Sequence, residues 1–166
     1  MFKKFNILFV TFFYIGKIKV APGTFASFFT CILMFFLINL ISFLTLYIFT
    51  FLIFLYSLYA IKNVLVLFKE KDPKDIVIDE FIGQALPLLL IPIYELYYPN
   101  SHLYYFILSF LTFRFFDIFK PYPINKFEKL PKAYGVLGDD IIAGIFTLVI
   151  MLVLQEFFVF TSIYKV

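Results

Sequence analysis

The sequence predicts an all-α, polytopic helical membrane protein, with about four to five membrane-embedded helices behind an N-terminal interfacial helix. Three observations predict it. Of 166 residues, 63% are hydrophobic and 15% charged, whereas soluble domains run nearer half apolar and a quarter charged. No charged residue stands between Lys19 and Lys62. The charges that remain gather in the segments between apolar runs, as expected when the runs lie in hydrocarbon. At this length a single membrane-embedded domain, 1–166, is expected.

Lys3 and Lys4 precede an apolar stretch that ends near Ile15 and mimics a secretory signal, but no small-residue cleavage site follows. Phe5 to Ile15 is too short to cross about 30 Å of hydrocarbon, which takes about 20 residues. It is predicted to lie in the interface. The charge-free run is too long for one span and suits a helical hairpin, with spans near 25–38 and 43–61 and a turn at Asn39 to Ser42. A linker to Asp79 carries Lys69, Glu70, Lys71, Asp72, Lys74 and Asp75. A third span is expected over 81–93, bent by Pro87 and Pro92. Glu95 to Ser101 reads as a turn in which Asn100 or Ser101 caps a fourth span over 102–116. A basic loop at 120–138 leads to the last span, 141–157.

Threading five spans puts the N-terminal arm and the loops at 16–24, 62–80 and 114–140 on one side. They hold 13 of the 14 basic residues, all but Lys165, so that side is predicted to be cytoplasmic. The same segments hold nine of the 11 acidic residues, all but Glu95 and Glu156. Acidic residues do not govern orientation, so their clustering is separate information and points to a site on that face.

Composition also excludes partners. A net charge of +3, with basic and acidic residues interspersed, does not suit nucleic acid. Attraction to an anionic leaflet suits it better. The single cysteine, Cys31, allows no internal disulfide and no thiolate metal cluster. His102, the only histidine, maps to the opposite face and reads as a polar residue of the cap region.

Two carboxylate pairs stand out. Asp79-Glu80 is followed by Gly83 and Gln84, and Asp139-Asp140 by Gly144. On a helix Glu80 shares a face with Gln84, and Asp140 with Gly144, at i, i+4. The glycines admit close approach of another helix, in the same chain or a second one. Acids in a first helical turn can simply answer the helix dipole. Two such pairs on one side, each followed by a glycine, favour a built site instead.

Arg114 and Asp117 lie at i, i+3 near the end of the fourth span, ahead of Lys120-Pro121. Arg114 is predicted to face the bundle or its mouth, because an arginine facing lipid at mid-helix costs about 2.5–3.5 kcal/mol. There its planar fork suits a phosphate. Ala21 to Ser27, APGTFAS, opens a helix whose N-terminus, with Gly23 and Thr24, offers N–H groups to an anion, Thr24 being the expected cap. Carboxylates with one Arg and one Lys, and no usable His or Cys, favour a hard cation such as Mg²⁺ over zinc.

The ordered set APGT, DPKDIVIDEFIGQ (72–84), FRFFDIFKPYPI (113–124) and YGVLGDDIIAG (134–144) resembles the phosphatidylglycerophosphatase A family. The resemblance implies a Mg²⁺-dependent enzyme of the bacterial inner (cytoplasmic) membrane. Such an enzyme removes the terminal phosphate of phosphatidylglycerophosphate, a lipid substrate reached at the headgroup plane. Carried over by motif, the catalytic set is Asp79, Glu80, Arg114, Asp117, Lys120, Asp139 and Asp140. The same carry-over implies that Gly23, Thr24, Arg114 and Lys120 bind the substrate phosphate and that Asp79, Glu80, Asp139 and Asp140 bind metal. The competing reading is an ion carrier or transport component using the clustered carboxylates. It would place them near the membrane midplane, where this sequence is almost wholly apolar.

Overall fold

The computed structural model describes residues 2–67, 73–92, 94 and 102–163, and among these every regular element is helical. Helix α1 is Phe2–Val10, α2 Pro22–Leu40, α3 Phe43–Leu65, α4 Ile78–Leu88, α5 His102–Phe119, α6 Ile124–Phe127 and α7 Ala133–Ile163. Three of these are long and apolar enough to cross a bilayer: α2, α3, and α7 as far as Phe157. Among the described residues, the expected set of embedded helices thus comprises three of crossing length together with the shorter α4 and α5.

Helix α2 begins with Pro22 at its first turn, behind Ala21 in the left-handed conformation (φ 47°), and has no side-chain cap. The cap expected from Thr24 is not made, because Thr24 already lies inside the helix. Proline suits this first turn, where its missing N–H has no helical partner. The hairpin turn falls where expected. Ile41 leaves α2 extended, and the Ser42 hydroxyl caps α3 by accepting from the Thr45 N–H at 3.3 Å. The two arms then splay apart, α2 packing on α4 while α3 packs on α1. The hydroxyls of Ser27, Thr30, Ser57 and Thr147 each donate to the carbonyl four residues earlier. That pairing lets polar side chains sit in an apolar bundle without an orphaned group.

Helix α1 is anchored rather than free. Tyr56 donates to Asn6 Oδ1 at 2.7 Å, and the Phe9 ring stands edge-on to Tyr56 at 4.7 Å. The Val77 N–H then bonds the Val10 carbonyl at 2.9 Å, tying the N-terminal arm to the start of α4.

Helix α4 is the centre of the bundle, touching α2, α3, α5 and α7. Nine of its 11 residues are buried. At about 1.5 Å per residue it is near 16 Å long, so it is an enclosed strut rather than the full third span expected over 81–93. It ends one residue after Pro87, whose carbonyl accepts from the Tyr105 hydroxyl at 2.7 Å. Gln84, one turn on from Glu80 in the same helix, donates to Ser109 on α5 at 3.1 Å.

The glycines explain how α4 meets α7. A Cβ on Gly83 would sit 2.6 Å from the Asp140 carbonyl oxygen, and one on Gly144 would overlap the Gly83 carbonyl. The backbones therefore touch at this crossing, and the approach is made within one chain. Helix α7 also starts eight residues before the expected 141, so Asp139 and Asp140 lie nearly two turns inside it rather than at its mouth. The linker residues 69–72, Ile93, the turn at 95–101 with its Asn100 or Ser101 cap, and Lys165 lie outside the described residues.

Candidate active site

One end of the bundle holds a cavity of about 470 Å³ built by four segments. The start of α2 supplies Ala21, Pro22, Gly23 and Thr24, and the start of α4 supplies Asp79 and Glu80. The end of α5 supplies Arg114, Asp117 and Ile118, with Lys120 just beyond it, and α7 supplies Asp139 and Asp140. All nine residues singled out from the sequence line this one space. Lys19 and Lys74 line it too. Sequence reasoning missed both as site residues, although each is a cation in a loop assigned to the same side.

The carboxylates divide into two groups. Oxygens of Asp79, Glu80 and Asp140 all lie within 4.8 Å of one another, an arrangement that can hold a metal ion. Asp79 and Asp140 are buried, Glu80 is half-buried, and Glu80 Oε2 has no hydrogen-bond partner. Three carboxylates this close repel one another unless a cation or protons intervene. Desolvation pushes Glu80 up to about 7, against the hydrogen bond from Asp79; the Asp117 charge adds to the rise and the Arg114 charge opposes it. An all-oxygen donor set with an orphaned buried oxygen fits a hard divalent cation.

Asp139 stands apart from that trio. Lys120 Nζ donates to its Oδ2 at 2.6 Å, and Glu128 lies 3.4 Å from the same ammonium. Burial disfavours the Lys120 charge, but the Asp139 hydrogen bond and the charges of Asp139, Glu128 and Asp140 outweigh it and raise Lys120 above the ordinary lysine range. Lys120 follows the last residue of α5 in the left-handed conformation (φ 42°), uncommon for a residue with a side chain. Its N–H closes the helix on the Phe116 carbonyl at 2.9 Å, and Pro121 prevents continuation. That bend aims the side chain back into the cavity instead of onward into solvent.

Arg114 Nη1 donates to Asp117 Oδ2 at 2.5 Å and to Ser27 Oγ on α2 at 3.4 Å, while its Nε is buried without a partner. The ion pair with Asp117 keeps the guanidinium at the rim rather than in lipid. Gly23 makes room for this arrangement, since a Cβ there would overlap Glu80 Oε1. Behind it, Ala21 to Thr24 set the start of the 19-residue α2 against the cavity, and a helix N-terminus attracts an anion.

The lining thus carries five carboxylates against four cations, Lys19, Lys74, Arg114 and Lys120. A divalent cation in the trio would turn this small negative excess into a small positive one.

A profile of the family described as phosphatidylglycerophosphatase A matches residues 8–155. Phosphatidylglycerophosphatase A of Haemophilus influenzae is 35% identical over 141 residues, covering 84% of this chain and 82% of that protein. A Bacteroides thetaiotaomicron protein, provisionally named a phosphatidylinositol-3-phosphatase, is 36% identical over 83 residues, 50% of this chain and 49% of its own. Phosphatidylglycerophosphatase A of Escherichia coli is 33% identical over 75 residues, 45% of this chain and 40% of its own. No solved structure matches. With the profile spanning nearly the whole chain and its motif residues gathered around one cavity, this membrane protein belongs to the phosphatidylglycerophosphatase A family.

Proposed function

We propose that this chain is a single membrane-embedded catalytic domain that hydrolyses phosphatidylglycerophosphate to phosphatidylglycerol and phosphate. In this reading Asp79, Glu80 and Asp140 hold Mg²⁺, and the site faces the cytoplasm from a bacterial inner membrane. The observation that carries it is the convergence of nine motif residues from four segments on one cavity at the charged end of an apolar bundle. A lipid phosphomonoester presents its phosphate at that level.

When bound, Mg²⁺ neutralises phosphoryl oxygens and acidifies water in its shell. The protein's own groups do the rest. Arg114 and the N-terminal N–H groups of α2, at Gly23 and Thr24, receive the non-reacting phosphate oxygens. Asp117 and Ser27 fix the Arg114 guanidinium so that its direction is set before the lipid arrives. Lys19 and Lys74 add positive charge at the entrance. Asp139, held by Lys120, is the carboxylate left over from the trio and is assigned as proton acceptor for the attacking water. Lys120 already takes one Asp139 oxygen, which supports giving Asp139 the proton rather than the place among the metal ligands that the family resemblance implies.

The test is phosphate release from phosphatidylglycerophosphate by purified protein in detergent, with Mg²⁺ and then with EDTA. Release that stops with EDTA supports the reading. A folded, Mg²⁺-supplied protein that releases nothing overturns it.

A further inference from the structure

The two helices that carry the phosphate-facing residues also enclose an apolar groove. It lies between α2 and α5, with Phe28, Ile32 and Phe35 on one wall, Ile107 and Leu111 on the other, and a volume of about 470 Å³. Cys31 and Phe106 form its buried floor. Helical register makes this groove and the carboxylate cavity neighbours. Phe28 lies one turn below Thr24 on α2, and Leu111 lies one turn before Arg114 on α5. The hydrogen bond from Arg114 to Ser27 joins the helices at the boundary, and the Phe28 and Phe110 rings meet just below it at 6.2 Å.

We propose that this groove holds one acyl chain of the lipid whose phosphate enters the cavity. The inference rests on the lipid phosphomonoester reading given above and names how that lipid is aligned. Length supports a single chain. From Phe28 to Phe36 the helix rises about 12 Å, close to the roughly 15 Å of one leaflet's hydrocarbon. Position supports the substrate's own chain rather than a bystander lipid, since the groove's upper end is the edge of the phosphate site. An acyl chain gains little apolar transfer energy on leaving neighbouring lipid tails, which are as apolar as the groove. The groove therefore orients more than it attracts. Fixing one chain against α2 and α5 limits the positions open to the phosphate, and misplacement by about 1 Å can cost on the order of 100-fold in rate.

The experiment compares dioleoyl with dihexanoyl phosphatidylglycerophosphate as substrates in detergent. Ile107→Trp fills the groove, Ile32→Trp fills it from the other wall should the first variant fail to fold, and Val153→Trp is a control on the exposed face of α7. The expected result is a kcat/KM for the dioleoyl lipid lowered about tenfold in a groove variant, within the range that misplacement can cause. The dihexanoyl lipid and the control should stay within about twofold, an orientation effect reaching neither. Equal losses on both lipids, or no loss on either, overturn the proposal. Should the wild-type protein hydrolyse neither lipid, the phosphatase reading fails, and native mass spectrometry then decides the groove. A phospholipid retained by wild type and lost from Ile107→Trp supports it, and equal retention by both overturns it.

Discussion

The two carboxylate pairs look alike in sequence and are used differently in the fold. Asp79-Glu80 stands in the first turn of α4, a short helix enclosed by its neighbours, and both side chains enter the same trio. Asp139-Asp140 lies inside the long α7, and its members part company. Asp140 joins the trio, whereas Asp139 turns to Lys120. Successive residues on a helix point about 100° apart, so an adjacent pair serves one centre only where the helix end is wrapped by partners on several sides. The first pair has that surrounding. The second sits on a helix wall between two partners and is divided between them.

This contrast can be broken experimentally, beginning with the largest effect. Asp140→Asn is expected to lower phosphate release by about 10³-fold, at or beyond the loss of one preorganised electrostatic contact, and to abolish Mg²⁺ binding measured by calorimetry. Asp139→Asn should lower release by about 10²-fold, the scale of a lost proton acceptor. Its Mg²⁺ affinity should fall by no more than about tenfold, the low end of what a residue that only orients the metal's ligands costs. If both substitutions abolish metal binding equally, the pairs are equivalent after all.

A pH titration sharpens the same division at a smaller scale. Glu80 is raised to about 7 by burial, so below that pH a proton competes with a cation, and binding must release it. Mg²⁺ affinity should therefore fall about tenfold from pH 8 to pH 6, as expected for one competing proton. Glu80→Gln should flatten that dependence while weakening binding overall. The smallest effect belongs to Glu128. It is exposed and touches only the outer side of Lys120 at 3.4 Å. Glu128→Gln should cost at most about 1 kcal/mol of stability, as exposed pairs do, and a thermal melt in detergent would show it.

Much of this was legible in the sequence, for physical reasons that can be named. Charge in an apolar chain is expensive to place in lipid, so its sidedness had to reveal the polar end of the bundle, and the motif residues fell there. The hairpin turn was legible because Asn39 and Ser42 interrupt an otherwise apolar run. The start of α7 was not. Tyr134-Gly135-Val136-Leu137-Gly138 reads as a loop, since each interior glycine costs a helix about 1 kcal/mol. Packing overrides that cost at Gly135, where a Cβ would overlap the Leu130 carbonyl. The missing Thr24 cap has a similar cause, because Ala21 takes a left-handed conformation that few sequences advertise for alanine. Lys19 and Lys74 escaped notice because exposed loop lysines are common, and only the fold shows which ones border a cavity.

The glycine crossing has a mechanical consequence. The contact sets the Asp140 carbonyl against Gly83 and the Gly83 carbonyl against Gly144, so Asp140 sits at the crossing itself and Asp79, four residues before Gly83, about 6 Å along its helix from it. That point acts as a fulcrum with short arms. A 10° change in the crossing angle, of the kind a thicker or thinner bilayer imposes on a long helix, displaces Asp79 on so short an arm by only about 1 Å. The far end of α7, more than 20 Å from the fulcrum, swings several times as far. The trio is thus placed where the bundle can tilt with its membrane while the spacing of its oxygens is largely preserved.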